Sequence, residues 1–194
     1  MKEKVQKSDR RVRRTKRVLA VALVDLLTEK PLNRITVKEV TEIADVNRAT
    51  FYRHYQDIYD MFYQIEDELL AEFKKAVTVG TLGNYDDLGA FYHRIFKFVE
   101  DNADLGQLLC GPNSNQVLDK FKEVVFEFLN QNCIAIDSGV NHFTNSFITA
   151  GIIEVIKQWL NEKIPVPSKE MAEYIITSVR SGFPLDLWNP EQGI

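Results

Sequence analysis

The sequence contains few of the residues that define disulfide-rich, metal-binding or membrane proteins. Only two cysteines, Cys110 and Cys133, occur among its 194 residues, and they share no metal-ligand spacing. Reduced thiols in a cytoplasmic protein are therefore the simplest interpretation. Asp25 and Glu154 interrupt the two most apolar segments, and charged residues stand at the start, where a signal peptide would be apolar. We expect a cytoplasmic protein with no membrane segment.

Sequence motifs of catalysis are missing as well. The chain has no HExxH, GxSxG, GxxxxGK(S/T) or GxGxxG pattern. His93 and His142 have no companions at metal-ligand spacing, so we expect no metal and no cofactor. A helical enzyme without these motifs is one alternative to a non-enzymatic role, and a pure interaction module is another. Binding to duplex DNA that weakens steeply with salt would exclude the interaction module.

Positive charge is concentrated at the beginning of the chain. The net charge is −4, but residues 1–55 carry +7 and the remainder carries −11. Six arginines and lysines fall between Arg10 and Arg17. A basic segment on an acidic body suggests that this segment alone meets a polyanion. Taken by itself, the run is explained equally well by the solvated start of a helix.

Helical periodicity extends over most of the chain and predicts an all-α protein of about nine helices. The first helix carries paired apolar positions that recur every four residues: Val18/Leu19, Ala22/Leu23 and Leu26/Leu27. A capping box formed by Thr36 and Glu39 begins the second helix. The inner positions of this second helix are predicted to be Val37, Val40, Ile43 and Ala44.

A short polar helix is predicted directly after a tight turn. Asp45 is one of the few residue types that tolerate the left-handed conformation of such a turn, and Asn47 is a good N-cap. The helix is predicted from Arg48 to about Tyr55. Two helices joined by a short turn form a helix-turn-helix, whose second helix enters the major groove of DNA.

The outward face of this short helix offers groups that suit the edges of bases. On a helical wheel Phe51 and Tyr55 point inward, whereas Ala49 and Arg53 point outward. Either Arg48 or Arg53 would bind guanine O6 and N7 with two hydrogen bonds, and Ala49 would contact a thymine methyl. The remaining polar residues suit phosphates, or for Lys38 either a phosphate or a base: Thr36, Lys38, Thr50, Tyr52 and His54.

Candidate domain boundaries flank a fourth helix. Asp57 caps this helix, which extends to about Val77 and is followed by a glycine-containing loop at 80–86. We expect a helix-turn-helix domain with a basic arm over residues 1–56, a connecting helix over 57–79 and a helical domain over 80–194. The helical domain ends with a long helix near 143–161 and a last helix near 169–181, which Ser168 caps.

The stretch from Thr36 to Tyr55 resembles the DNA-binding signature of the TetR family of bacterial transcriptional regulators. Ile43-Ala44 precedes the turn, and Thr50-Phe51-Tyr52-Arg53-His54-Tyr55 follows it as in the family pattern. The resemblance covers about residues 9–77, and the remainder is similar only in the number and length of its helices. Two positions depart from the pattern: Asp45 replaces the usual turn glycine, and Ile58 replaces a lysine that often binds phosphate.

The resemblance implies a homodimeric, non-enzymatic regulator that binds a palindromic operator in double-stranded DNA. It assigns DNA contacts at positions 36, 38, 48, 49, 50, 52 and 54, and dimerisation to the helices near 143–161 and 169–181. The basic run would lie along the DNA backbone or reach a minor groove. The predicted DNA-binding residues are Arg10, Arg11, Arg13, Thr36, Lys38, Asn47, Arg48, Ala49, Thr50, Tyr52, Arg53 and His54.

The regulatory half of the sequence is less informative. The resemblance implies a repressor that is relieved by a small-molecule effector bound in the C-terminal domain. An activator or co-activator whose C-terminal domain responds to a protein partner is the alternative. Aromatic side chains are candidates for the lining of a pocket, although such residues more often form ordinary core: Phe91, Tyr92, Phe96, Phe121, Phe128 and Phe147.

Overall fold

The computed structural model describes residues 2–82, 85–109, 114–132, 140–162 and 166–182, and every regular element in these ranges is helical. The α-helices are α1 (Lys2–Glu29), α2 (Val37–Ile43), α3 (Arg48–Phe51), α4 (Ile58–Val77), α5 (Tyr85–Asp101), α6 (Ser114–Asn132), α7 (Val140–Glu162) and α8 (Ser168–Gly182). Two 3₁₀-helices lie at Leu32–Arg34 and Ala103–Leu109. The predicted all-α fold is confirmed.

The chain forms two compact units. Unit 1 contains Met1–Leu69 and Asp104–Val117, and unit 2 contains Leu70–Ala103 and Leu118–Ile194. This division differs from the predicted boundaries at 56 and 80, because the first half of α4 belongs to the core of unit 1. The inner residues of that half, Met61, Phe62 and Ile65, are all buried.

The apolar face of α1 forms the centre of unit 1. Leu19, Leu23 and Leu27 are buried, as their four-residue spacing predicts. Two inward predictions were wrong, since Val18 is 38% exposed and Ile43 is 52% exposed. Val18 lies at the edge of the apolar face of α1, whereas Ile43 is the last residue of a seven-residue helix that buries Val40 and Thr41 instead.

Ion pairs join α1 to other elements of unit 1. Lys16 Nζ lies 2.5 Å from Glu68 Oε1 on α4 and 5.7 Å from the ring centre of Tyr55. Lys30, at the end of α1, pairs with Glu39 on α2. Both pairs are partly exposed, so each contributes at most about 1 kcal/mol to stability. They fix the orientation of α2 and α4 on a core that is held mainly by apolar burial.

Aromatic side chains fill the core of unit 2. Phe91 stacks on Phe128 with ring centres 5.1 Å apart, and Phe96 meets Trp159 edge-on at 5.6 Å. Phe121 packs against Phe73 of α4 at 4.7 Å. These contacts connect α5, α6 and α7 with the second half of α4, in the offset and edge geometries that aromatic pairs prefer.

The start of α8 is attached to the end of α5. The Ser168 amide donates to Glu100 Oε1 at 3.2 Å, and the Ser168 hydroxyl donates to Glu100 Oε2 at 2.9 Å. The Ser168 hydroxyl and amide, aided by Lys97, hold the pKa of Glu100 below its usual range. Ser168 is itself the first residue of α8, and its hydroxyl donates to a carboxylate 68 positions away in the chain.

Candidate nucleic-acid interface

The beginning of α2 is fixed by the predicted capping box. The Glu39 amide donates to Thr36 Oγ1 at 3.3 Å, and the Thr36 amide donates back to Glu39 Oε2 at 3.0 Å. Lys30 also binds the Glu39 carboxylate. The Lys30 ammonium and the Thr36 hydroxyl and amide lower the pKa of Glu39 to about 2. The carboxylate therefore joins α1, the loop before α2 and α2 itself.

Acid should weaken this junction. A carboxyl group whose pKa is lower in the folded chain stabilises the fold above its unfolded value of 4.5, and this contribution is lost as the pH falls toward about 2. We expect the melting temperature to fall less between pH 7 and pH 3 in Glu39→Gln than in the wild type, as measured by circular dichroism. Glu29→Gln, at the exposed end of α1, should match the wild type. An equal pH response in Glu39→Gln and the wild type would contradict the role of the ion pair.

The turn between α2 and α3 has the predicted conformation. Asp45 has a φ of 51°, in the left-handed region that aspartate tolerates better than most residues other than glycine. The Ala49 amide donates to Asn47 Oδ1 at 2.7 Å, so Asn47 is the N-cap of α3. Aspartate thus fills the place of the family's turn glycine without changing the turn.

The second helix of the motif is shorter than predicted. It ends at Phe51 rather than near Tyr55, because the chain tightens into turns of the i to i+3 type. The Arg53 amide donates to the Thr50 carbonyl at 3.3 Å, and the His54 amide donates to the Phe51 carbonyl at 2.8 Å. Arg53 and His54 therefore lie in a turn that follows α3.

Buried aromatic rings attach this short helix to unit 1. Phe51 is fully buried and Tyr55 is 3% exposed, as the helical wheel predicts. Their ring centres are 5.5 Å apart. Burial raises the pKa of Tyr55, with Glu68 and Asp60 adding to the rise, so its phenol remains neutral. These two rings leave the opposite side of α3 free to carry polar groups outward.

The predicted DNA-binding residues of the motif lie mainly on the surface. Arg48, Ala49, Tyr52 and Arg53 are exposed, and Thr50 and His54 are half-buried. Arg53 Nη2 lies 3.4 Å from Thr50 Oγ1, so the guanidinium is held beside the outward face of α3. On α2 the exposed Lys38 lies 3.8 Å from Glu42. Thr36 and Asn47 are exposed, but their side chains are used by the two helix caps described above.

The basic run lies in a helix. The open question of whether it precedes or begins the first helix is answered, because α1 starts at Lys2 and contains the whole run. Arg10, Arg11, Arg13 and Arg14 are all exposed. At about 100° per residue, Arg10, Arg13, Arg14 and Arg17 share an arc of about 100° on one side of α1. We call these four residues the arginine face.

The motif itself carries little net charge. Between Thr36 and Tyr55 three basic side chains are balanced by three acidic ones. The excess positive charge of residues 1–55 therefore lies outside the motif, mainly in the sequence of α1. Cations attract phosphates irrespective of base sequence, whereas polar side chains on a helix face suit the edges of bases.

A second surface feature lies in unit 2, between α7 and α8. Three large side chains are strongly exposed here: Phe143 at 72%, Phe147 at 70% and Tyr174 at 62%. A groove of about 540 Å³ separates the two helices and is lined by Phe147, Ile148, Gly151, Ile152, Val155, Tyr174, Ile175, Ser178 and Val179. An apolar surface of this kind on a folded domain marks an interaction site.

The predicted pocket residues lie in two places within unit 2. Phe91, Tyr92, Phe96, Phe121 and Phe128 are buried in the core of unit 2. Phe147 alone lies on the groove between α7 and α8. In the described part of the chain no group of three or more His, Cys, Asp and Glu side chains is arranged to hold a metal ion, and no helix is long and apolar enough to cross a membrane.

Comparison with known proteins identifies the family. Residues 86–181 match the family model TetR_C_8, described as the C-terminal region of a transcriptional regulator. A TetR transcriptional regulator from Streptococcus agalactiae 2603V has a similar structure, with a TM-score of 0.56 and 24% sequence identity over 90% of this chain and 98% of that chain. The chain belongs to the TetR family of transcriptional regulators. Regulators of this family bind DNA and act as dimers, and they are not enzymes.

Two further proteins are similar to this TetR-family chain. The uncharacterized HTH-type transcriptional regulator YxbF of Bacillus subtilis (strain 168) is 33% identical over 84 residues, which is 43% of this chain and only 22% of that protein. The regulator FadR of Bacillus subtilis, solved in complex with stearoyl-CoA, has a TM-score of 0.64 and 15% identity over 86% of this chain and 98% of that chain. The second likeness supports the fold alone.

One family departure is explained by burial. Ile58, at the place where the family often has a phosphate-binding lysine, is only 5% exposed and belongs to the core of unit 1. The first residue of α4 therefore provides no cation in this chain.

Sequence reasoning missed the ion pair that holds Arg17, one residue of the arginine face. Arg17 Nε donates to Asp104 Oδ2 at 2.9 Å, and Arg17 Nη2 binds the other carboxylate oxygen. The two residues are 87 positions apart. No local pattern connects them, and only the three-dimensional fold brings the 103–109 helix to α1.

Proposed function

We propose that the chain is a homodimeric repressor whose α3 reads a palindromic operator in double-stranded DNA, in the cytoplasm. The observation that carries this proposal is the geometry of α3. Its inner face is fixed by Phe51 and Tyr55, its start is capped by Asn47, and its polar side chains point outward. A short helix held in this way presents side chains to base edges with little loss of conformational freedom.

Base recognition is proposed for the outward side of α3. Arg48 is exposed at the first position of the helix, and Ala49 beside it offers a methyl group. An arginine there binds guanine O6 and N7, and alanine contacts a thymine methyl. Arg53 is the second candidate for guanine. Because it lies beyond the end of α3 and beside Thr50, we assign Arg48 the larger share of specificity.

Phosphate contacts are proposed for residues around α3 and on α1. Tyr52 is 56% exposed, and its ring meets that of the buried Phe51 edge-on. The other proposed contacts lie on both helices of the motif. Thr50 is on α3 and His54 is in the turn after it, whereas Thr36 caps α2 and Lys38 lies in its first turn. Arg10, Arg11 and Arg13, and with them the exposed Arg14 of the arginine face, extend the contact along the DNA backbone from a helix, which disfavours an extended arm in the minor groove.

Dimerisation is proposed through the groove between α7 and α8. The two exposed phenylalanines, Phe143 and Phe147, and Tyr174 provide an apolar surface that a second copy of the chain would bury. Pairing about a twofold axis presents two copies of α3 to the two halves of a palindrome. Such half-sites are expected about 10 base pairs apart, or a multiple of that distance.

A charge in the groove should prevent pairing. We expect Phe147→Asp to convert the dimer to a monomer, with at least a tenfold rise in the dissociation constant, because the carboxylate would be buried without a partner. Sedimentation equilibrium measures the change. Val79→Asp is the matched control, since Val79 is an apolar residue of unit 2 that is 55% exposed outside the groove. A dimer that survives Phe147→Asp, or dissociates equally in the control, would rule out this interface.

Relief of repression is proposed to come from a small molecule bound in unit 2. The structurally similar Bacillus subtilis FadR was solved with stearoyl-CoA, so this fold accommodates an acyl-CoA in that protein. A ligand shifts the dimer only if it prefers one arrangement of the two DNA-binding units over another. Reducing DNA affinity 100-fold in this way requires a coupling free energy of about 2.7 kcal/mol.

The direction of regulation is tested by transcription in a purified system. Bacterial RNA polymerase and a promoter that carries an operator selected from random DNA are combined with the wild-type chain. We expect the transcript to decrease in proportion to operator occupancy, and an Arg48→Ala chain to have a weaker effect. If the transcript increases with operator occupancy, the chain is an activator and the repressor proposal is wrong. An unchanged transcript would contradict both roles.

A further inference from the structure

We propose that Asp104 masks Arg17, a fourth phosphate-binding arginine of α1, and thereby sets the affinity of the chain for DNA. This inference deepens the proposed function and rests on it, because it assumes that the arginine face contacts the DNA backbone. Arg17 was not among the predicted DNA-binding residues. Two observations concern Arg17: it lies on the arginine face of α1, and the Asp104 carboxylate holds its side chain.

The position of Arg17 makes it part of the arginine face. Arg17 lies four residues after Arg13 and three after Arg14, so it continues the same side of α1 one turn, about 5.4 Å, further along the helix. Neighbouring phosphate charges on one DNA strand are about 3.4 Å apart along the axis. A backbone that runs along the arginine face at Arg10, Arg13 and Arg14 therefore has a further phosphate near the level of Arg17.

The Arg17 side chain is held by Asp104 through two hydrogen bonds. Nε lies 2.9 Å from Oδ2, and Nη2 binds Oδ1, which is the fork geometry that guanidinium also uses to bind phosphate. Because the carboxylate occupies the same donors, a phosphate and Asp104 compete for Arg17. Both side chains remain about two-fifths exposed, at 40% and 42%, so solvent and DNA have access to the pair.

The chain connectivity links the pairing of Asp104 with Arg17 to structural changes in unit 2. Asp104 is the first residue of the segment Asp104–Val117, which belongs to unit 1 although the chain before and after it belongs to unit 2. Asp104 lies in the 3₁₀-helix Ala103–Leu109, which follows α5 directly and precedes α6. A change in α5 or α6 that withdraws this segment removes the carboxylate from Arg17 and adds a phosphate-binding group to the DNA-binding unit.

The salt dependence of DNA binding tests the mask. The affinity for a 30-base-pair duplex carrying the selected operator is measured by fluorescence anisotropy between 50 and 200 mM KCl. We expect Asp104→Asn to steepen the slope of log affinity against log salt by about 0.9. Between 50 and 200 mM KCl the variant should therefore lose a further threefold to fourfold in affinity relative to the wild type. The double variant Asp104→Asn with Arg17→Gln should return the slope to the wild-type value.

Matched variants separate the mask from other effects. Asp119→Asn removes the same charge from α6, where Asp119 pairs with Lys122, and should leave the slope unchanged. Asp104→Ser repeats the unmasking with a different side chain. An unchanged slope in the two Asp104 variants, or a steep slope that persists without Arg17, would overturn the proposal. If neither Asp104 variant folds, the ion pair between Asp104 and Arg17 is needed for stability, and the proposed masking role is overturned as well.

The wild type distinguishes this inference from the proposed function. If the wild-type chain binds the duplex with no salt dependence, the DNA-binding proposal itself fails. If the wild type binds with a steep slope and Asp104→Asn matches it, the mask alone is wrong.

Discussion

Replacing Phe51 by alanine is expected to destabilise unit 1 by about 3–5 kcal/mol, because the ring is fully buried and its removal leaves a cavity. A typical domain is stable by only about 5–15 kcal/mol, so unit 1 would become marginal. Phe51 is also the last residue of α3 and contacts Tyr55. We therefore expect operator binding to be lost together with stability. Chemical denaturation followed by circular dichroism measures the first effect, and fluorescence anisotropy measures the second.

The neighbouring aromatic residue provides the matched control. Tyr52 is 56% exposed, so Tyr52→Ala should change the free energy of unfolding by less than about 0.5 kcal/mol. It should nevertheless weaken binding to specific and random duplexes alike, because its proposed role is contact with phosphate. If Phe51→Ala keeps full stability, or if Tyr52→Ala destabilises the chain as strongly, the inner and outer faces of α3 have been assigned wrongly.

Removing three arginines from α1 is expected to have the largest effect on DNA affinity. The triple variant Arg10→Gln, Arg13→Gln and Arg14→Gln removes three cations that lie on one side of the helix and are exposed. Each phosphate contact contributes about 0.9 to the slope of log affinity against log salt, so we expect the slope to fall by about 2.7. Affinity at 50 mM salt should decrease by more than tenfold for specific and random duplexes.

A control with the same change of charge tests whether position matters. Lys75, Lys122 and Lys169 are three lysines of unit 2, and their replacement by glutamine also lowers the net charge by three. We expect this variant to keep a slope within about 0.5 of the wild type, because none of these lysines belongs to the DNA-binding unit. Equal slopes in the two triple variants would contradict phosphate contact by α1.

Local structure of the helix-turn-helix could be predicted from the sequence because its determinants are adjacent residues. The capping box needs only Thr36 and Glu39, and the cap of α3 needs only Asn47. The left-handed turn needs a residue type such as Asp45. In the two caps the side chain bonds to a backbone group at most three positions away, and the turn depends on a single residue type, so the pattern of residues contains the whole determinant.

Long-range contacts could not be predicted in the same way. Lys16 and Glu68 are 52 positions apart, and Glu100 and Ser168 are 68 apart. Charged residues are common on every helix, so their identity alone does not select a partner. The pairing depends on the packing of whole helices, which is decided mainly by apolar burial and leaves no local signal.

The exposed residues of α7 show a different limit of prediction from the sequence. Periodicity correctly predicts a long apolar helix here, but Phe143 and Phe147 are exposed whereas Ile152 and Ile156 are buried. An apolar pattern does not distinguish a residue that packs in the core of its own domain from one that lies on an exposed apolar surface. The same ambiguity led to the grouping of Phe147 with buried aromatics such as Phe91.

Recognition of DNA by α3 is tested by selection of bound sites from a random duplex library. We expect the wild-type chain to enrich a palindrome with half-sites about 10 base pairs apart, or a multiple of that distance. Arg48→Ala should enrich the same palindrome with one guanine position relaxed in each half-site. Enrichment of no motif by the wild type, or of an identical motif by Arg48→Ala, would contradict recognition of DNA by α3.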